Sequence, residues 1–119
     1  MRSPVAVCSL TILAACATAR PVDPQEIRGR GRDEQRAVGT LRHLYSLQMT
    51  YQACHGRFAS TLEELKQIGW EAQDFGAYRP VITDPGSRLC VAMLPTGERR
   101  PAWSMSGRGL LYRGPRCGR

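Results

Sequence analysis

From Ala37 onward, apolar side chains recur at steps of three and four. They are Ala37, Val38, Leu41, Leu44, Tyr45, Leu47 and Tyr51, with Gln48 in the same rhythm. That period predicts an amphipathic α-helix from Asp33 or Glu34 to Ala53 or Cys54, roughly 30 Å long at about 1.5 Å per residue. Asp33 suits the N-cap and Glu34 the first turn, where the helix dipole favours negative charge. Val38, Leu41, Tyr45, Gln48 and Tyr51 share one stripe, and Arg36 and Arg42 fall elsewhere. Gly56 ends the helix. Residues 60–65 read Ser-Thr-Leu-Glu-Glu-Leu, with Ser60 and Glu63 at capping-box spacing. Leu62, Leu65 and Ile68 give this second helix a short apolar face, and Gly69 fits its C′ position. Trp70 and Phe75 follow as loop aromatics over the core. Beyond them the pattern suits strands at 78–83, 89–94, 102–105 and 110–112, with turns at Asp84–Ser87 and Ser106–Gly109. A helix first and strands afterwards predict an α+β fold: a long N-terminal amphipathic helix, a short second helix, and a small antiparallel sheet of three or four strands packed on the helix.

The first residues point to export. Met1-Arg2-Ser3 carries one positive charge, and Pro4 to Ala15 is a nearly unbroken run of apolar and small residues, too short to span a bilayer as an ordinary helix. Leu13-Ala14-Ala15-Cys16 resembles the bacterial lipobox, in which the cysteine is lipidated and becomes N-terminal. The resemblance implies an export signal over 1–15 and a lipid anchor at Cys16. Ala17 in place of an aspartate then implies the outer membrane, facing the periplasm or the cell surface. Ala17-Thr18-Ala19 also fits an ordinary signal-peptidase site, which would give a secreted or periplasmic protein. Residues 16–32 read as a flexible tether, because Arg20, Arg28, Arg30 and Arg32 surround only two aliphatics, Val22 and Ile27. Their arginines suit anionic lipid head groups. The globular domain is then 33–119.

Within 34–69 the chain resembles the type IV pilin and pseudopilin family. The residues that carry the likeness are Leu44, Gln48 and Tyr51 at the helix end, Gly56-Arg57-Phe58 after it, and Leu62 and Leu65 beyond. They cover about a third of the chain. The family likeness implies a long helix, a Gly-aromatic step, a Leu-x-x-Leu segment and an antiparallel sheet packed on the helix. The prepilin peptidase site and the long apolar helix of that family are both missing here. The likeness therefore implies a pilin-like head on a lipid anchor, an interaction or assembly component of the surface or secretion apparatus, rather than a filament subunit.

Composition and candidate chemistry narrow the function classes. The chain has 119 residues, 42% of them apolar and 23% charged, which fits one small folded domain and not a disordered polymer. No nucleophile elbow, P-loop or dinucleotide fingerprint is present, and Glu63 and Glu64 read as first-turn helix charges, so the expectation is a non-enzyme. Tyr51-Gln52-Ala53-Cys54-His55 is a haem-attachment motif with its first cysteine replaced. It supports an alternative reading as a periplasmic electron-transfer or ligand-binding protein, with His55 and Met93 as axial ligands. No cofactor is expected on the main reading. His43 and His55 do not share a helix face, and no metal site is expected. Cys54, Cys90 and Cys117 are the disulfide candidates. A straight run out of the last strand would carry Cys117 away from Cys90, which disfavours that pair unless the tail folds back. The net charge is +7. Its excess lies in the tether and in residues 79–119, where Arg99, Arg100, Arg108, Arg113, Arg116 and Arg119 are candidates for an anionic surface such as an acidic protein partner or an anionic polymer. Sixteen arginines beside Lys66 alone also fit a codon-driven preference for arginine. No nucleic-acid module is recognisable, and no specific nucleic acid is expected.

Overall fold

The computed structural model describes residues 20–97 and 99–118. The export signal, Cys16 and Arg119 lie outside them. The fold is α+β, a helix packed on a four-stranded antiparallel sheet. Helix α1 spans Pro24–Arg28, and helix α2 spans Arg32–His55. Helix α3, Leu62–Leu65, runs into a 3₁₀ turn at Lys66–Ile68. Strands β1 (Tyr78–Asp84), β2 (Cys90–Pro95), β3 (Trp103–Ser106) and β4 (Leu111–Arg113) form a meander in that spatial order.

The apolar stripe of α2 is what assembles the core. Ala37, Val38, Leu41, Leu44, Leu47 and Tyr51 are buried against Val91, Met93, Trp103, Met105 and Leu111 from the sheet. Alternation along each strand turns Cys90, Ala92, Ser104 and Tyr112 to the opposite face. That face is covered in part by the C-terminal tail. After β4 the chain reverses through Gly114, at φ 119°, whose N–H donates to Ala102 O at 2.7 Å. Cys117 then reaches back to form a disulfide with Cys90, with the Cα atoms 5.9 Å apart. Gly118 is seated on the Tyr112 ring so closely that a Cβ there would lie 3.1 Å from it. The expectation against a Cys90–Cys117 pair is thus corrected. The tail does not continue the direction of β4, because glycine supplies a reversal that few side chains tolerate.

The flexible tether is also corrected from Arg20 onward. Asp23 caps α1 by accepting from Gln25 N at 2.9 Å, Pro24 begins the helix, and Ile27 is buried in the main core. Ahead of it, Pro21 bridges Tyr112 in antiparallel sense, and Val22 N donates to Leu111 O at 2.6 Å. The segment is ordered by long-range pairing and one deep aliphatic, which its composition hides. It also covers the outer edge of β4. At the other edge of the sheet, β1 carries Pro80 and an exposed Arg79, residues that discourage strand addition.

Two caps shift from their expected positions. The cap of helix α2 lies two residues earlier, at Gly31, and Asp33 sits in the first turn, paired with Arg100 at 3.1 Å. Thr61, not Ser60, caps α3, accepting from Glu64 N at 3.2 Å. Gly56 ends α2 in the left-handed region at φ 77°.

Candidate functional site

The family-motif residues fall into one connected unit where α2 turns into α3. Gln48, fully buried, donates to Ala59 O at 2.9 Å and accepts from Ala59 N at 2.7 Å. A single side chain thereby satisfies both backbone groups of a residue in no regular element. One turn later, Tyr51 Oη donates to Glu64 Oε2 at 3.1 Å. Arg57 Nη2 reaches the same oxygen at 2.8 Å, and its guanidinium lies 5.5 Å from the Tyr51 ring centre. Ser60 N donates to Glu64 Oε1 at 2.7 Å. Leu44 and Leu65 are buried beneath, with Phe58 and Leu62 partly buried beside them. The motif thus fixes the angle between two helices. Its polar members bind one another.

Charge follows from that geometry. The Arg57 guanidinium, and then the Ser60 N–H, hold the Glu64 carboxyl down at about 2. Burial and the neighbouring Glu64 raise the Tyr51 phenol, and Glu64 also raises Arg57. A depressed carboxylate stabilises the fold above its unfolded pKa, near 4.3, and that contribution fades as pH falls toward the folded value. Wild type will therefore unfold at higher urea than Glu64→Gln at pH 7, and the two midpoints will converge as pH drops from about 4.5 to 2. A gap that stays constant across this range in urea titrations would assign the effect to packing instead.

The haem constellation is not assembled. Cys54 is exposed and unpaired, and His55 stacks on Tyr51 with ring centres 4.0 Å apart. Met93 is fully buried and sits across from Trp103, whose ring lies under Arg30 just ahead of α2. His55 closes the far end of α2, roughly 30 Å away along the helix. His43 instead packs near Trp70, which stacks on Phe75 at 5.4 Å. Among the described residues, no group of three or more His, Cys, Asp or Glu side chains is placed to hold a metal ion.

The candidate arginines divide between the two ends of the sheet. Arg99 and Arg100 lie in the β2–β3 loop, and Arg113 closes β4 at that same end, opposite Trp103. Arg108 lies in the hairpin at the other end. There, with Arg88, Phe58, Leu89, Ser106 and Tyr112, it lines an open groove of about 340 Å³. Arg116 lies on the returning tail beside Thr83 and Asp84. Strand β3 runs between Arg100 and Arg108, so these residues, eight apart in sequence, sit at opposite ends of the sheet. Arg30, read from the sequence as a tether arginine for lipid head groups, instead bridges Glu26 at 3.0 Å and faces Trp103 with 5.6 Å to the ring centre. The Glu26-Arg30-Glu34 spacing of four was the available signal.

No family model, curated protein or solved structure matches the chain.

Proposed function

We propose that this is an exported, non-catalytic envelope lipoprotein, anchored through Cys16, whose folded head is an interaction or assembly module of the cell surface or a secretion apparatus. The outer membrane is its proposed site. The observation that carries this reading is the Cys90–Cys117 disulfide. Small domains with such bonds belong to oxidising compartments, and the signal-like residues 1–15 would deliver the chain to one. The pilin-like description of the head rests on the motif residues acting as one unit, from Gln48 through Gly56 and Arg57 to Glu64. It also rests on α2 as the long helix that leads into the sheet. Residues 20–31, folded onto the sheet edge and core, belong to the head, so its spacer is confined to the few residues after Cys16.

Growth with a clickable palmitate analogue tests the anchor. The wild-type chain will take up label and partition with membranes, and Cys16→Ser will do neither. A wild-type chain that is processed yet unlabelled would sink the lipoprotein reading in favour of cleavage after Ala19.

A further inference from the structure

We infer that the end of the domain carrying Arg20, Arg32, Arg99 and Arg113 is a docking surface for an anionic membrane, so that the head stands with the start of α2 toward the lipid and His55 away from it. This rests on the Cys16 anchor proposed above and gives it an orientation. The first observation is directional. Pro21 bridges Tyr112 in antiparallel sense, and continuing that register by one residue sets Arg20 opposite Arg113. Arg20, the first described residue, therefore lies on the side of the β2–β3 loop and the start of α2. Four residues separate Cys16 from Arg20 in position, which limits their Cα atoms to about 14 Å at full extension. The docked Pro21 and Val22 leave no further slack, so this end is the one that covalent geometry keeps near the anchor.

The second observation is charge. At this end, Glu26 and Glu34 both face Arg30, at 3.0 and 3.9 Å, and Asp33 holds Arg100 at 3.1 Å. Asp23 caps α1 by accepting from Gln25 N and keeps its negative charge, so the arginines at this end outnumber its described carboxylates without cancelling them all. Arg20, Arg32, Arg99 and Arg113 are all exposed, and none makes an ion pair with a described residue. Placing Arg20 opposite Arg113 sets like charges across a bridge, an unfavourable arrangement that a surface of phosphate head groups would relieve. Arg88 and Arg108 lie at the other end of the sheet, beside the start of β2 and the β3–β4 hairpin.

Cys54 supplies the probe. It is exposed, forms no disulfide and sits at the end of α2 opposite this surface. The acylated protein is purified in detergent, labelled there with a donor fluorophore and reconstituted into vesicles containing an acceptor lipid. Vesicles of phosphatidylcholine alone are compared with vesicles holding about one-third phosphatidylglycerol. Energy transfer will fall by roughly half on the anionic vesicles, because the head is drawn upright. It will return to the neutral-vesicle value in 1 M salt, where screening is about 3 Å, and in the Arg20→Gln/Arg113→Gln variant. Arg88→Gln/Arg108→Gln will behave as wild type. Equal transfer on both vesicles, or higher transfer on the anionic ones, overturns the orientation. Intact mass reads the lipid on Cys16 independently: a protein lacking it overturns the anchor and the orientation together, whereas an acylated protein with no lipid dependence overturns the orientation alone.

Discussion

Replacing Cys90 and Cys117 together by alanine will lower the unfolding free energy of the domain by about 3–4 kcal/mol, the chain-entropy value for a loop of this length. The bond joins residues 27 apart in sequence. In a domain of fewer than 100 residues each kilocalorie shifts the melting temperature by about 4–8 °C, so the expected drop is on the order of 15–25 °C. Few single features here could cost so much, because the tail crosses a sheet face that the helix does not protect. Cys90, Ala92 and Ser104 are fully buried on that side, and the Ser104 hydroxyl makes no hydrogen bond. Opening the tail wets a face built partly from small side chains, which have little apolar area of their own to hold a cover in place. Calorimetry of the oxidised and double-alanine proteins reads the effect directly. A loss below about 1 kcal/mol would mean that the tail holds by noncovalent contacts alone.

Gln48→Leu is expected to cost about 2–4 kcal/mol although it replaces a polar core residue by an apolar one of similar size. The cost lies in Ala59, whose buried N–H and C=O would both lose their partner, at about 1–3 kcal/mol each. Gln73→Leu, on an exposed position, serves as the comparison and should stay within about 0.5 kcal/mol. Gln48→Glu sharpens the test. One carboxylate oxygen can still accept from Ala59 N, but the other would face Ala59 O, so burial and repulsion raise the folded pKa above the unfolded one. A raised carboxyl makes the variant most stable at low pH, with stability lost as pH rises past about 4.3 toward the folded value. Urea midpoints at pH 3.5 and 7 separate the two substitutions: Gln48→Glu should gain on Gln48→Leu only in acid. Equal midpoints for Gln48→Leu and wild type would show that water reaches Ala59 and the pairing is dispensable.

The elements that were legible in the sequence are those set by local chemistry. Helix α2 follows from the spacing of Val38, Leu41, Leu44 and Tyr51, and its end from Gly56, whose left-handed backbone suits glycine. All four strands lie within about two residues of their expected bounds. The cap of α3 was ambiguous for a definite reason. Ser60-Thr61-Leu62-Glu63-Glu64 satisfies the capping pattern in two frames, and the choice depends on Arg57, which draws Glu64 rather than Glu63 inward. What stayed illegible depends on partners far away in sequence. Arg20 to Arg32 looks like a spacer until Tyr112 offers Pro21 an edge and the core offers Ile27 a place. Cys117 looks remote from Cys90 until the glycine reversal at Gly114 is seen. The arginine-rich half reads as one surface along the chain, yet the β3–β4 hairpin sends Arg108 and Arg113 to opposite ends. The motif positions are the converse case. Their identities were visible, but only the hydrogen bonds from Gln48 to Ala59 and from Arg57 to Glu64 show that they hold the backbone.

The pairing of Pro21 with Tyr112 also sets an order of events. These residues stand near the two ends of the folded unit. At about 5–20 residues per second of synthesis, the later one follows the earlier by something on the order of 5–20 s. Helix α2 and the first hairpin have only near neighbours to find and can form as they emerge. The sheet edge, the seat of Ile27 and the disulfide must wait for residues 111–117. Until then the chain has no closed domain, the state in which a nascent polypeptide is still threadable. A premature stop anywhere before Leu111 would leave the first segment without a partner, and such a fragment would be cleared by proteolysis rather than persist as a shortened head.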